Sequence, residues 1–231
     1  MRHVSSVRLL SVLAVLLVFA GCAAKKEVAE VVQSKTIVFF GDSITKGHAV
    51  NEATESFYAR IEKIMNSGLY GLVRTVNAGV NGDDSTLGLM RVSSDVSSHN
   101  PDIVVIAFGL NDCRNRGIDL RLFRDNLQNI IAAMPSKTTV ILATSNSYLD
   151  IGNTPWGDLN ETLDPFMDEI RNIAKERNLA LIDVHDAWLT QIKQDNRHME
   201  SYYADPSHPS AKGHGIIFES YMNALRRVVM D

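Results

Sequence analysis

Cysteine is scarce in this chain: Cys22 and Cys113 are the only two among 231 residues, too few for a disulfide scaffold. Positive charge is short as well. Lys and Arg number 23 against 27 Asp and Glu, a formal net charge of −4, so no basic excess argues for nucleic acid, whose phosphates need one. Disorder is excluded from the other side, by 45% hydrophobic and 22% charged residues. Several signatures are missing too. No Gly-x-Gly-x-x-Gly fingerprint occurs at Gly79–Gly82, the Gly-Lys-Ser/Thr ending of a phosphate loop is absent from Gly41–Lys46, and the serine of Gly41-Asp42-Ser43 is not framed as Gly-x-Ser-x-Gly. Dinucleotide binding, nucleotide-phosphate binding and the α/β-hydrolase elbow lose their usual carriers.

The N-terminus carries a processing pattern. Arg2 and Arg8 precede Leu9–Ala20, which has no charge and would span roughly 18 Å as a helix, short of a ~30 Å hydrocarbon core. That reads as a secretory signal over residues 1–21. Phe19-Ala20-Gly21-Cys22 resembles the lipobox of bacterial lipoproteins, with Phe where Leu is commoner. The resemblance implies lipidation of Cys22, a tether over residues 22–34 and a membrane-anchored envelope protein. A plain secretory signal with Cys22 incidental is the alternative. Removing residues 1–21 takes Arg2 and Arg8 with it and moves the formal charge from −4 to −6. With Cys22 lipidated, Cys113 has no partner in the chain.

From Thr36 onward short apolar runs alternate with helix-period segments. Ile37–Phe40, Val73–Val76, Ile103–Phe108, Val140–Ala143 and Leu179–Val184 suit strands buried on both faces of a parallel sheet. Phe57, Ile61, Ile64 and Met65 mark one amphipathic helix, with Gly68 as its expected C-cap. Phe123, Leu127, Ile130, Ile131 and Met134 mark a second. Leu159–Ala174 is periodic, with Asp164-Pro165 as a candidate cap and first turn, and Ile217, Tyr221, Leu225 and Val228 mark the last helix. Five strands alternating with helices make one α/β domain over residues 35–231. In such sheets ligands bind beyond the carboxyl ends of the strands.

Those ends carry four polar blocks. Gly41-Asp42-Ser43-Ile44-Thr45 follows the first run, Asn77-Ala78-Gly79-Val80-Asn81-Gly82-Asp83 the second and Gly109-Leu110-Asn111-Asp112 the third. Asp205-Pro206-Ser207-His208-Pro209 precedes the last helix. In order and spacing the four blocks resemble those of the SGNH hydrolases, the GDSL esterase/lipase superfamily, over about Ile37 to Leu225. The resemblance implies a flavodoxin-like three-layer α/β/α sandwich on a parallel five-stranded sheet. It also implies metal-free, cofactor-free ester hydrolysis through an acyl-enzyme. The substrates it implies are short-chain acyl esters, O-acetylated glycans, lysophospholipids or thioesters.

The chemistry is coherent without the family. A serine hydroxyl is a weak nucleophile until a base takes its proton; Ser43 is the candidate nucleophile and His208 the base. Asp205, three residues before His208, can hold its Nδ1–H and stabilise the imidazolium. A tetrahedral intermediate needs donors around its oxyanion. By resemblance these are the backbone N–H groups of Ser43 and Gly82 and the side-chain amide of Asn111, with Gly79 as the alternative glycine.

Each residue has a structural competitor: Ser43 as a helix cap, Asp205 as a turn cap, Asn111 as a turn residue, His208 as a surface histidine. Asp42 and Asp112 read as acceptors bracing two loops. Asp183, His185, Asp186, Asp205, His208 and His214 contain metal-ligand types but no i, i+4 His pair, and no metal is expected. His214 is expected to pack or face solvent, and Cys113 to be a small buried side chain. Arg114 and Arg116 are cations placed to hold an acidic substrate group or simply to be solvated. Tyr148 and Trp156, within Ser145–Asn160, are candidates for a pocket wall. A non-catalytic carbohydrate-binding or assembly protein on the same fold stays open as the second functional class.

Overall fold

The computed structural model describes residues 34–115, 117–149 and 159–230. The signal and lipidation readings at residues 1–21 and Cys22, most of the tether, Arg116 and Trp156 lie outside the described residues. Every apolar run becomes a strand: β1 (Lys35–Gly41), β2 (Val73–Gly79), β3 (Ile103–Ala107), β4 (Thr139–Ala143) and β5 (Ala180–Ile182). All pair in parallel in the order β2-β1-β3-β4-β5, the flavodoxin-like arrangement, which puts the topological switch point beside β1. Between the strands run α1 (Ser43–Lys46), α2 (Phe57–Met65), α3 (Ser85–Asp95), α4 (Leu120–Ala132), α5 (Leu159–Glu176) and α6 (Val184–Gln194). The last helix is α7 (Ala211–Met230). Helix α3 packs on α4 and α4 on α5, while α7 packs on α2 and α6, so helices cover both faces of the sheet in three layers.

Strand β1 shows why the runs are continuous rather than alternating. Successive side chains leave a strand on opposite faces. Phe39 meets Phe57, Tyr58 and Tyr221 on one face, and Phe40 meets Phe108 edge-on at 5.1 Å on the other. A strand with helices on both sides has no solvent face on which a polar alternation could show.

Two expectations at helix ends are corrected. Helix α2 ends at Met65 and is capped by Asn66, whose N–H donates to Glu62 O; Gly68 lies two residues beyond the cap, with φ +82°, in the turn that follows. Helix α5 runs through Pro165 instead of starting there. Leu163, Phe166, Met167, Ile170 and Ile173 form a buried stripe on both sides of the proline, and that packing outweighs the lost N–H bond.

A close backbone approach lies at the end of β2. A Cβ on Gly79 would lie 2.3 Å from the Lys46 backbone nitrogen, so only glycine lets α1 seat against this strand end. Gly79→Ala is therefore expected to destabilise the domain by about 1–3 kcal/mol, the usual cost of overpacking, with rigid backbone on both sides. Urea denaturation checks this, and an unchanged midpoint would contradict the packing described.

Candidate active site

The four polar blocks converge at the carboxyl ends of β1, β2 and β3. Asp42, not Ser43, caps α1: its carboxylate accepts from Ile44 N–H at 2.8 Å, leaving Ser43 as the first helical residue. The cap releases the Ser43 hydroxyl, which donates to His208 Nε2 at 2.9 Å. On the far side of the ring His208 Nδ1–H donates to Asp205 Oδ2 at 2.7 Å, which fixes the tautomer and leaves Nε2 as the acceptor. Asp205 Oδ1 accepts from the Ser207 and His208 N–H groups at 2.8 and 2.9 Å. Partial burial pushes the Asp205 carboxyl upward, but those two N–H bonds and the His208 ring outweigh it and hold the group below its usual range.

The His208 segment is a loop held by other elements. Leu149 N–H donates to Pro206 O at 2.9 Å and Asn146 Nδ2 to Ser207 O at 3.1 Å, tying it to the chain after β4. Beneath it Tyr203 Oη bonds Ser147 Oγ at 2.8 Å and accepts from Trp188 Nε1 at 2.7 Å. Tyr148 is buried and donates to Leu110 O, so it braces the third block instead of lining an open wall.

The expected oxyanion donors have distinct surroundings. Gly82 is exposed with φ +80°, a region that L side chains rarely adopt, and among the described residues nothing accepts from its N–H. Gly79, the alternative, donates its N–H to Asn77 Oδ1 at 2.9 Å and is spent. Asn111 Nδ2 gives one hydrogen to Asp83 O at 2.9 Å, which fixes the amide beside the second block and leaves its second hydrogen for another acceptor.

Several residues absent from the sequence reading hold this geometry. Arg91 on α3 donates to Gly41 O and Ala78 O at 2.9 and 2.8 Å, pairs with Asp83 and lies 4.5 Å over the Phe40 ring. One guanidinium thus binds the last carbonyl of β1 and the next-to-last of β2. Asp84 caps α3 and also accepts from Asn115. His48 lies edge-on to His208 with ring centroids 4.7 Å apart, and its Nδ1 accepts from Asn81 at 3.3 Å. The positive φ of Gly47 and Ala49 on either side of His48 is the local signal for it.

The remaining candidates separate. His214 is fully buried in α7; its ring stacks on Phe57, its Nδ1 accepts from Phe57 N–H at 3.3 Å and its Nε2 has no partner among the described residues. Burial, then Arg60 and His208, push its pKa down to about 4, so it packs as a neutral ring. Asp183 caps α6 and is held by Arg171, while His185 lies between Ser145 O and Asp164. Among the described residues no three His, Cys, Asp or Glu side chains form a group able to hold a metal. Cys113 is half-buried with its thiol on Leu110 O, and burial raises its pKa to about 11. Arg114 is exposed, 6.0 Å over the Tyr148 ring.

Asp42 and Asp112 are buried braces, as expected. Asp112 accepts from Ser85 N–H at 2.9 Å and Gly109 N–H at 3.0 Å, joining the second and third blocks. Burial raises its pKa to about 6, and burial, together with the nearby Asp112 and Asp83, raises that of Asp42 to about 7 against the Ile44 hydrogen bond. Between pH 3.8 and about 7 the folded chain therefore binds more protons at Asp42 than the unfolded chain. Its stabilising contribution is complete at low pH and is lost as pH rises through that window. Asp42→Asn, neutral throughout and still able to cap, is expected to lessen the fall in unfolding free energy from pH 4 to 7. Identical slopes in the two proteins would contradict this placement of Asp42.

Comparisons with known proteins agree with this architecture. Residues 39–216 match the GDSL-like Lipase/Acylhydrolase family. A GDSL esterase/lipase of Arabidopsis thaliana is 26% identical over 210 residues, covering 82% of this chain; the chain spans 64% of that protein's length. A lipase/acylhydrolase from Enterococcus faecalis superposes with a TM-score of 0.69 at 26% identity, covering 84% of this chain and 95% of that one. A catalytic mutant of an acetylxylan esterase from Geobacillus stearothermophilus shares the fold, with a TM-score of 0.70 at 21% identity over 83% of this chain and 94% of that one. Matched along residues 39–216, the chain belongs to the GDSL-like Lipase/Acylhydrolase family.

Proposed function

We propose that the protein is a serine esterase in which Ser43, His208 and Asp205 act as a catalytic triad. The observation that carries this reading is the continuous chain from Ser43 Oγ through His208 to Asp205, at 2.9 and 2.7 Å. As Ser43 Oγ attacks the ester carbonyl carbon, its proton passes to His208 Nε2. The carbonyl oxygen becomes an oxyanion, met by the N–H groups of Ser43 and Gly82 and the free amide hydrogen of Asn111. When the intermediate collapses, the C–O bond to the alcohol breaks and His208 returns the proton to that leaving oxygen. Water, deprotonated by the same histidine, then attacks the acyl-Ser43 ester and regenerates the enzyme. Asp205, held ionised below its usual range, stabilises the imidazolium at both stages.

The proposed substrates are small-molecule, glycan or lipid esters: short-chain acyl, O-acetyl glycan, lysophospholipid or thioester. A lipid on Cys22 would anchor the enzyme in the cell envelope. A p-nitrophenyl ester series from acetyl to palmitoyl tests the reaction and ranks the acyl groups. An acetyl optimum favours glycan deacetylation, and an octanoyl or longer optimum favours lipid or thioester substrates.

Ser43→Ala is expected to lower kcat by at least about 10³-fold with the fold intact. A rate near wild type would move the nucleophile elsewhere. Asn111→Ala is expected to lower kcat by about 10²–10³ with KM little changed, and unaltered turnover would leave only backbone donors at the oxyanion. Cys22→Ser is expected to shift the protein from the membrane fraction to a soluble or unprocessed form; unchanged partitioning would remove the anchor from this account.

A further inference from the structure

Because the sheet is parallel, the amino ends of its strands share one pole, opposite the Ser43 site. Helices α2, α4 and α5 finish just before β2, β4 and β5, so their carboxyl ends reach that pole. The end of α7 joins them, since Lys35 Nζ donates to Val229 O at 2.7 Å. Exposed there are Lys63, Arg74, Lys175, Arg177, Arg226 and Arg227. Among the described residues none of the six is ion-paired. Among the described residues, the acids Glu62, Asp102 and Glu176 at this pole are engaged: Glu62 with Tyr58 and Thr75, Asp102 with Thr36 N–H and Lys137, Glu176 with Arg124. At the opposite pole lie Asp42, Asp83, Asp84, Asp112 and Asp205, so a chain of net charge −4 is divided along its strand axis.

Helix dipoles account for cations at helix carboxyl ends, so the charge alone specifies no partner. The α2–β2 loop adds what the dipoles do not explain. Leu69 and Leu72 are 78% and 60% exposed, in the stretch that runs from Lys63 to Arg74. The chain also enters the domain here, because Lys35 N–H donates to Leu72 O at 2.9 Å, and 34 residues precede it.

We propose that this pole is a docking surface for an anionic phospholipid bilayer. Leu69 and Leu72 enter at headgroup depth, and the surrounding cations meet the lipid phosphates. Apolar insertion and attraction to anionic lipid act together in such interfacial contacts, and one end of a domain suffices for them. The orientation that follows turns the Ser43 pole away from the bilayer, toward solutes and polymers in the aqueous phase and away from esters of the membrane beneath. This surface does not depend on the esterase reading.

Hydrogen exchange on the full chain, alone and with vesicles of phosphatidylcholine with or without phosphatidylglycerol, tests the proposal. Amides 66–72 are expected to slow several-fold on anionic vesicles only, and less at raised salt, while amides 80–84 beside the site are unaffected. Replacing Leu69 and Leu72 by Ser is expected to abolish that protection. Arg226→Gln and Arg227→Gln are each expected to weaken docking by about fivefold, with ester hydrolysis in solution unchanged. Unaltered exchange at 66–72 while the chain sediments with vesicles would overturn the proposal, as would equal protection on neutral vesicles. Protection without vesicles that fades on dilution would assign the leucines to a second copy of the chain and overturn it too.

Discussion

One hydrogen bond, from Ser43 Oγ to His208 Nε2, joins groups 165 residues apart, and much of the polar structure at the carboxyl ends of the strands serves to keep its two ends still. Neither end lies in the middle of a regular element. Ser43 opens a four-residue helix held by the Asp42 cap, by Asn77 Nδ2 on Thr45 O and by the close seat against Gly79. His208 lies in a loop fastened by backbone and amide bonds to the chain after β4. A hydrogen bond between two loosely held side chains loses most of its worth to the entropy of ordering them. Here that ordering is supplied by folding, before any substrate arrives.

The bracing is costly in its own way. Asp42, Asp83, Asp84 and Asp112 are four buried carboxyl groups around the site, and of them Asp83 is paired with Arg91. Burial resists ionisation of Asp42 and Asp112, and backbone N–H groups at Ile44, Ser85 and Gly109 offset part of that resistance. Apolar residues would pack there at less electrostatic cost, but they could not accept from N–H groups at three strand-to-helix turns. The site's rigidity and its pH-dependent stability thus have one origin.

The sheet was legible in the sequence because strands covered on both faces leave unbroken apolar runs such as Ile37–Phe40 and Ile103–Phe108. The residues that meet at the strand ends were legible because three of the blocks follow a run directly and the fourth, around His208, comes just before the last helix. Helix α3 was not legible. It buries Ser85, Gly88 and Val92 while exposing Leu87 and Met90, so its inward face is small and polar and shows no apolar stripe. Arg91 was hidden for the same reason: a lone arginine in such a segment reads as solvated, and only the fold shows the carbonyls it caps. His48 carried no motif at all. Its place beside His208 depends on the left-handed turn at Gly47 and Ala49, a feature of backbone and not of composition. At Pro165 the local rule gave the wrong boundary, since a buried stripe on either side carried the helix through.

Every step of the proposed reaction depends on Ser43 being a nucleophile activated by His208. A fluorophosphonate probe measures this most directly, because it reacts with an activated serine whatever the natural ester, and peptide mass mapping locates the adduct. The predicted result is a single adduct on Ser43 that disappears in His208→Ala and in protein unfolded by urea. A folded protein that takes no label at Ser43, or that takes it equally without His208, would contradict the account.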